Sequence, residues 1–345
     1  MEQIIFNTIF LIFSIYLLIR SGVHVVRSLS VIARFFNASE FTISFILMAF
    51  ATSLPELAVG VNSALTDSPN ISLGNILGTN IVNITLILGL IGIIAGKISV
   101  EDESKFDSTR IFSFLLVMSP VLLMFDGVLS RIDGVILLAL FAWNMERLFE
   151  IRERLKEAKI VQKILSRNKE IDPKHSLEEE VEDVEEAVVS VREFFRASSI
   201  FILSTSLLVA ASYAVVYSAK NLSFIFGVPE ILIGLLVVGI GTSLPELVFG
   251  LQSANNGNGG MSLGNIFGSS VVNSTLILGV TSIIRPIVMQ DSAIFWISAI
   301  FMGGTLILAH YMFRTKNFLV RKEAVVLVFA YVVFLITQII IGIIQ

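Results

Sequence analysis

A hexapeptide with an acid at its fifth position occurs twice in this chain, each time within a long apolar stretch: Thr52-Ser-Leu-Pro-Glu-Leu57 and Thr242-Ser-Leu-Pro-Glu-Leu247. The match runs on without a gap, since Ser72-Leu-Gly-Asn-Ile76 returns as Ser262-Leu-Gly-Asn-Ile266 and Thr85-Leu-Ile-Leu-Gly89 as Thr275-Leu-Ile-Leu-Gly279. At a constant offset of 190, 22 of the 38 positions from Thr52 to Gly89 are identical, which marks a duplicated structural unit. Each copy carries one carboxylate, Glu56 or Glu246. Any fold for this chain therefore has to bring two acids into a low-dielectric interior and satisfy them there.

The interior in question is that of a bilayer. Of 345 residues, 55% are hydrophobic and 15% charged, with a mean hydropathy of +0.86, whereas soluble domains carry roughly 25% charged residues. A hydrocarbon core about 30 Å thick takes roughly 20 apolar residues per helix. The chain supplies ten such stretches, at about 3–20, 41–65, 71–96, 110–126, 128–146, 197–219, 229–254, 261–284, 292–313 and 323–344. The expected fold is an all-α membrane protein of about ten transmembrane helices. It divides into a first repeat over 1–146 (motif 49–89), a charged loop over 147–196 and a second repeat over 197–345 (motif 239–279). No basic segment precedes the first stretch, which reads as a retained span rather than a cleaved signal. Cysteine is absent, so disulfides, thiolate metal sites and cysteine nucleophiles are excluded.

Lysine and arginine give the orientation. With the N-terminus outside, the cytoplasmic segments hold Arg20, Arg27, Arg34, Lys97, Lys105, Arg110, Arg314, Lys316, Arg321 and Lys322, besides the 11 basic residues of the middle loop. The outer segments hold Arg131, Lys220 and Arg285. Without the loop the balance is still 10 to 3. Both termini are then outside, the 147–196 loop is cytoplasmic, and an odd number of spans per repeat makes the two halves oppositely oriented. Such an inverted repeat can open a central site alternately to either side. In the loop, Leu148, Ile151, Leu155, Val161 and Leu165 stand among basic residues, and Val181, Val184, Val188, Val191 and Phe195 among acids, on either side of Pro173. Two amphipathic helices of opposite charge suggest a helical hairpin. The acidic run carries no D-x-D-x-D-G calcium loop.

Proline in mid-span removes an amide donor and clashes with the preceding turn, so Pro55 and Pro245 should break their helices and free the carbonyls of Ala51 and Gly241. At membrane depth a freed carbonyl needs a partner, and a cation is one. Thr52, Ser53 and Glu56 share one turn, copied by Thr242, Ser243 and Glu246; hydroxyls, carbonyls and a carboxylate are the hard oxygen ligands that calcium and sodium prefer. The next span of each repeat bears a polar stripe, Asn75, Thr79 and Asn83 or Asn265, Ser269 and Asn273. Interleaved are Gly74 and Gly78, or Gly264 and Gly268, which allow close helix approach. Asn75 and Asn265 by themselves are equally well read as interhelical hydrogen-bonding groups. No lysine or arginine lies in these four spans, so the acids' counter-charge has to come from metal ions or protons.

At these residues the sequence resembles the sodium/calcium exchanger branch of the calcium/cation antiporter superfamily, and among its members the compact prokaryotic type. The resemblance rests on both copies of T-S-L-P-E-L followed by S-L-G-N-I-x-G, and with the five-plus-five layout it covers nearly all the chain outside the middle loop. It implies secondary antiport of sodium against calcium, with no cofactor. It also implies that Glu56 and Glu246 ligate calcium with Thr52 and Thr242 beside them. Sodium sites would form from Thr52, Ser53, Thr242, Ser243 and the backbone carbonyls near Ala49 and Gly239, with Thr79, Asn83, Ser269 and Asn273 completing the cluster. Three departures stand out, the smallest being Ala51 where many members have glycine before Thr-Ser. Asn273 occupies a place where the family commonly has aspartate, leaving two carboxylates rather than three, and Ser270 stands where the first repeat has Asn80.

The other readings are weaker. Proton-coupled divalent exchange is the nearest alternative, but that branch usually has G-N-x-x-E-H, and His24, His175 and His310 lie outside both repeats. Channels commonly assemble a pore from several identical subunits rather than from an inverted repeat. An intramembrane hydrolase lacks a metal motif or a histidine base for Ser53 or Ser243. Membrane lipid and the transported ions are the expected partners, and nothing points to nucleic acid or to an obligatory protein partner.

Overall fold

A computed structural model describes residues 2–35, 52–99, 103–148, 191–255, 259–316 and 318–344. The first repeat comprises α1 (Glu2–Phe35), α2 (Leu54–Leu65), α3 (Pro69–Ala95), α4 (Glu103–Leu123) and α5 (131–148). The second begins with α6 (Val191–Phe226) and α7, in which Glu230–Ile233, Gly234–Val238 and Gly239–Thr242 run on as one helix. It continues with α8 (Leu244–Asn255), α9 (Gly259–Val272, Asn273–Ile277 and Leu278–Ile284), α10 (Ser292–Lys316) and α11 (Arg321–Ile344). Helices α7 and α8 are the two halves of one broken span. Residues 36–51, upstream of α2, lie outside the described residues, as do residues 149–190, most of the 147–196 loop for which a helical hairpin is expected.

The fold is an all-α, multi-pass membrane bundle of about ten spans in two inverted five-helix repeats. The inversion can be seen in equivalent helices. Helices α1 and α6 open the two repeats and run antiparallel: Asn221 donates to the Asn7 side chain at one end, and Phe35 stacks on Phe194 at the other. With 34 and 36 residues, both outrun their apolar stretches. At 1.5 Å per residue they are about 50 Å long, more than the bilayer core needs. Hydropathy marked only the part that lies in hydrocarbon, while helical hydrogen bonding continues through Arg20 and Arg27 of α1 and through Arg192 and Arg196 of α6.

Each repeat lends its fifth helix to the other. Arg131, opening α5, donates through Nε to the Ile283 carbonyl of α9, and Arg321, opening α11, donates to the Ile93 carbonyl of α3. The two contacts are related by the 190-residue offset. So are two short strand pairs: β1 (Lys97–Ser99) with β4 (Phe318–Val320), and β2 (Val128–Leu129) with β3 (Ile287–Val288), one residue apart in register. These pairs close opposite ends of the bundle. Arg131, Lys220 and Arg285 gather at the β2–β3 end, where Arg285 pairs with Asp67 and Lys220 donates to the Thr66 carbonyl. Lys97 and Arg321 stand at the other end. Large apolar side chains such as Leu203, Phe224, Ile300 and Phe329 are exposed and face lipid.

Helix α3 is the core of the bundle. Every residue from Pro69 to Val82 is buried, so this part of the helix has no lipid-facing side and its polar groups face other helices. Its glycines set its distance from α7: a Cβ at Gly74 would lie 2.1 Å from the Ile231 carbonyl oxygen, and one at Gly78 would lie 2.2 Å from that of Leu235. Gly234 of α7 meets the Ile71 carbonyl in the same way. The equivalent approach to α9 would involve residues 41 and 45, outside the described residues. Gly78→Ala should therefore destabilise the fold by about 1–3 kcal/mol, whereas Gly304→Ala, where an added Cβ meets nothing within 4 Å, should be neutral. Thermal unfolding in detergent distinguishes them.

Candidate functional site

The two acids sit where their helices begin. Helix α7 ends at Thr242, Ser243 interrupts it with φ −78° and ψ −3°, and α8 starts at Leu244 with Pro245 in its first turn. Proline has no amide to give the Gly241 carbonyl, so the break falls where the sequence places it. The Ser243 hydroxyl and amide both donate to the Gly239 carbonyl, at 2.6 and 3.3 Å. In the other repeat α2 starts at Leu54, with Pro55 in the first turn and Ser53 at the N-cap. Ala49 lies outside the described residues.

Glu56 and Glu246 thus occupy the first turns of α2 and α8, and both have no solvent exposure at all. A helix N-terminus favours a carboxylate by about 0.3–1 kcal/mol, too little to offset the several kcal/mol of bringing an ion out of water. The repeats meet at these acids. Thr242 lies beside Glu56, Thr52 lies beside Glu246, and the carboxylates are near enough to interact electrostatically.

Helices α3 and α9 wall the acids with amides and hydroxyls. Thr79 Oγ1 lies 3.3 Å from both the Gly239 carbonyl and the Thr242 hydroxyl, and Thr242 donates to Asn75 Oδ1 at 3.1 Å. Asn83 Nδ2 donates to Ser269 Oγ at 3.3 Å, and Asn273 Nδ2 to Asn80 Oδ1 at 3.5 Å. Asn83 and Asn273 each open a π turn, Asn83–Ile87 and Asn273–Ile277, and a third lies in α7 at Gly234–Val238. Such turns shift the side-chain register by one residue and are frequent at functional sites.

Several polar atoms of this region are left without partners. Both oxygens of Glu56, both of Glu246, Asn83 Oδ1 and Asn273 Oδ1 are buried without a hydrogen-bond partner, as are the hydroxyls of Thr52 and Ser53. Among the described residues no cluster of three or more His, Cys, Asp or Glu forms a metal centre. Two carboxylates among amide and hydroxyl oxygens make instead a hard-ligand cradle, which suits a transported cation of the calcium or sodium kind.

Of the residues singled out in the sequence, Thr52, Ser53, Glu56, Thr79, Asn83, Thr242, Ser243, Glu246, Ser269 and Asn273 are all buried in this region, and Gly239 presents its carbonyl to it. Sequence reasoning passed over Asn80 and Ser274, which hydrogen-bond each other at 2.8 Å behind Asn273. The only signal of them was the mismatch of Asn80 with Ser270. Asn75, read equally well as an interhelical group, is one, and it holds the site residue Thr242.

The sodium/calcium exchanger protein family model matches residues 6–146 and 197–340, nearly everything outside the middle loop. The chain belongs to the sodium/calcium exchanger family. Within the family it is similar to the sodium/calcium exchanger MaX1 of Methanosarcina acetivorans, 28% identical over 96% of this chain and 97% of that protein. It is also similar to the putative antiporter CaxA of Alkalimonas amylolytica, 30% identical over 94% and 96%. Its fold resembles that of the sodium-calcium exchanger NCX_Mj soaked with 10 mM Na+ and zero Ca2+. That likeness has a TM-score of 0.58 and 26% identity, and covers 96% of this chain and 98% of the other. The chain is a transporter, not an enzyme.

Two buried acids in spans without lysine or arginine repel each other when ionised with no ion bound. In ion-free detergent, Glu56→Gln and Glu246→Gln should each raise the unfolding temperature by roughly 2 °C, the effect of about 1 kcal/mol. Thermal unfolding followed by intrinsic fluorescence measures it.

Proposed function

We propose that this exchanger-family protein is a secondary active antiporter that expels calcium against inward sodium flux, both ions competing for the one cradle between the repeats. The observation that carries this reading is the set of buried acceptor oxygens on Glu56, Glu246, Asn83 and Asn273 that lack any donor, in spans without lysine or arginine. Calcium would bind Glu56 and Glu246, flanked by Thr52 and Thr242. Sodium sites would use Thr52, Ser53, Glu56, Thr79, Asn83, Thr242, Ser243, Glu246, Ser269, Asn273 and the carbonyls of Ala49 and Gly239.

The charge arithmetic limits the stoichiometry. Two carboxylates neutralise one calcium, while three sodium ions would leave the cradle with one excess positive charge. Asn273 takes up no proton, which removes that position from any proton coupling. Residues 1–146 and 197–345 form the two repeats of the transport unit, and 147–196 the loop between them. The gathering of Arg131, Lys220 and Arg285 at one end supports termini outside and the loop in the cytoplasm, by the excess of basic residues on the cytoplasmic side. Because the acids stand at a helix break shared by inverted halves, rearranging one half against the other exposes the same ligands to either side.

Sodium-loaded proteoliposomes diluted into sodium-free buffer should take up radioactive calcium, and a proton gradient without sodium should drive none. Uptake driven by protons alone would overturn the sodium coupling. Glu56→Gln and Glu246→Gln should each abolish uptake while leaving the size-exclusion profile unchanged; full uptake by the double variant would remove the acids from the site. Asn273→Asp should change calcium affinity and make initial uptake rates depend on pH, measured over a pH series.

A further inference from the structure

The cradle is symmetric in its acids and asymmetric in the amides behind them. On one side Asn83 has its nitrogen on Ser269 Oγ. The symmetric acceptor for Asn273 would be Thr79, whose hydroxyl is already engaged with the Gly239 carbonyl and Thr242. Asn273 turns instead to Asn80. Nothing equivalent exists across the pseudo-symmetry: Ser270 donates back to the Ile266 carbonyl of its own helix, and the counterpart of Ser274 is the apolar Ile84.

We propose that Asn80 is a positioning residue that fixes which end of the Asn273 amide faces the transported cation. Asn80 reaches Met302 Sδ through Nδ2 at 4.0 Å and Ser274 Oγ through the same nitrogen at 2.8 Å. A thioether sulfur accepts and never donates, so the Asn80 nitrogen is held on that side. Its oxygen is then left to accept from Asn273 Nδ2, and Asn273 Oδ1 is left without a donor in the buried cradle. The order matters because the two ends of a carboxamide have opposite polarity. With nitrogen turned inward Asn273 would present N–H dipoles to a cation; with oxygen inward it is a ligand. An aspartate at 273 would have an oxygen at both ends and need no such orientation. Asn80 is thus what a neutral residue at position 273 requires, and Met302 and Ser274 are what hold Asn80.

The choice of probe ions rests on the exchange reading above. The test follows the unfolding temperature of purified full-length protein in detergent as CaCl2, and separately NaCl, is titrated into ion-free samples. Asn80→Ser installs the residue that the second repeat already carries at the equivalent position, so the fold has a precedent for it. In the wild-type background Asn80→Ser should need about tenfold more CaCl2 to reach half of the full stabilisation, the effect of losing one well-placed ligand. In the Asn273→Asp background the same substitution should move that midpoint by less than about twofold, because its effect passes through the amide of Asn273. An unchanged midpoint in the wild-type background would overturn the proposal. So would an equal loss in both backgrounds, which would make Asn80 a packing residue or a ligand in its own right. If neither salt stabilises the wild type, both the exchange reading and this inference fall. If both salts do and only the Asn80 effect is missing, the exchange reading stands alone.

Discussion

Two carboxylates held out of water, in spans that carry no lysine or arginine, are the constraint on which this structure turns. Each would cost several kcal/mol as an unpartnered ion in hydrocarbon. The chain answers with oxygen-rich walls rather than with a lysine or an arginine. That choice accounts for the polarity of α3 and α9, which carry asparagine, serine and threonine where a lipid-facing helix would carry leucine. It accounts also for the burial of α3 on all sides from Pro69 to Val82, since such a segment is stable only when protein covers it. The glycines then follow, because walls lined with short polar side chains reach the site only if the backbones come close. Gly74, Gly78 and Gly234 bring α3 and α7 together at their backbones.

The inverted repeat gives this local chemistry its use. Two halves built on the same plan around a duplicated motif can rearrange against each other between arrangements of similar energy, since an interaction broken in one half is matched by its equivalent formed in the other. The exchanged fifth helices show how completely the halves are interlocked. Arg131 caps the end of α9, and Arg321 caps the end of α3, with the same side-chain atom on the same kind of carbonyl. The N-termini of the two helices are built alike as well: Asp133 accepts from the Ser130 amide, and Glu323 from the Val320 amide. Interlocking of this kind keeps the repeats together while the broken span at Ser243 remains the place where the backbone ladder is already open.

Much of this was legible in the sequence because it was written twice. Thr52 to Gly89 and Thr242 to Gly279 located the acids, the break at Pro245 and the stripes on α3 and α9, since a proline without an amide and a polar residue at every fourth position have local consequences. What depends on distant partners was not legible. The full length of α1 and α6 exceeds their apolar stretches because helices do not end where hydrocarbon does. The π turns at Asn83 and Asn273 leave no mark in hydropathy. The exchange of α5 and α11 rests on contacts such as Arg131 to Ile283, residues far apart in the chain. Asn80 looked like an unexplained mismatch, and its meaning emerged only when Asn273 and Ser274 of the other repeat stood beside it.

The division between what is duplicated and what is not follows the size of the energies. Placing or removing a buried charge changes the balance by several kcal/mol, whereas turning or losing a neutral hydrogen bond changes it by about 1 kcal/mol. The buried acids Glu56 and Glu246 are accordingly the same in both halves. Asn80 against Ser270 and Ile84 against Ser274 are differences between neutral residues, and Asn80 and Ser274 bond each other one layer behind the buried acids, beside Asn273. At that layer asymmetry alters how firmly an oxygen is aimed without altering the charge that has to be matched. A site built on this plan can be tuned for one ion over another through its second layer of amides while the pair of carboxylates, and with it the symmetry of the two halves, stays fixed.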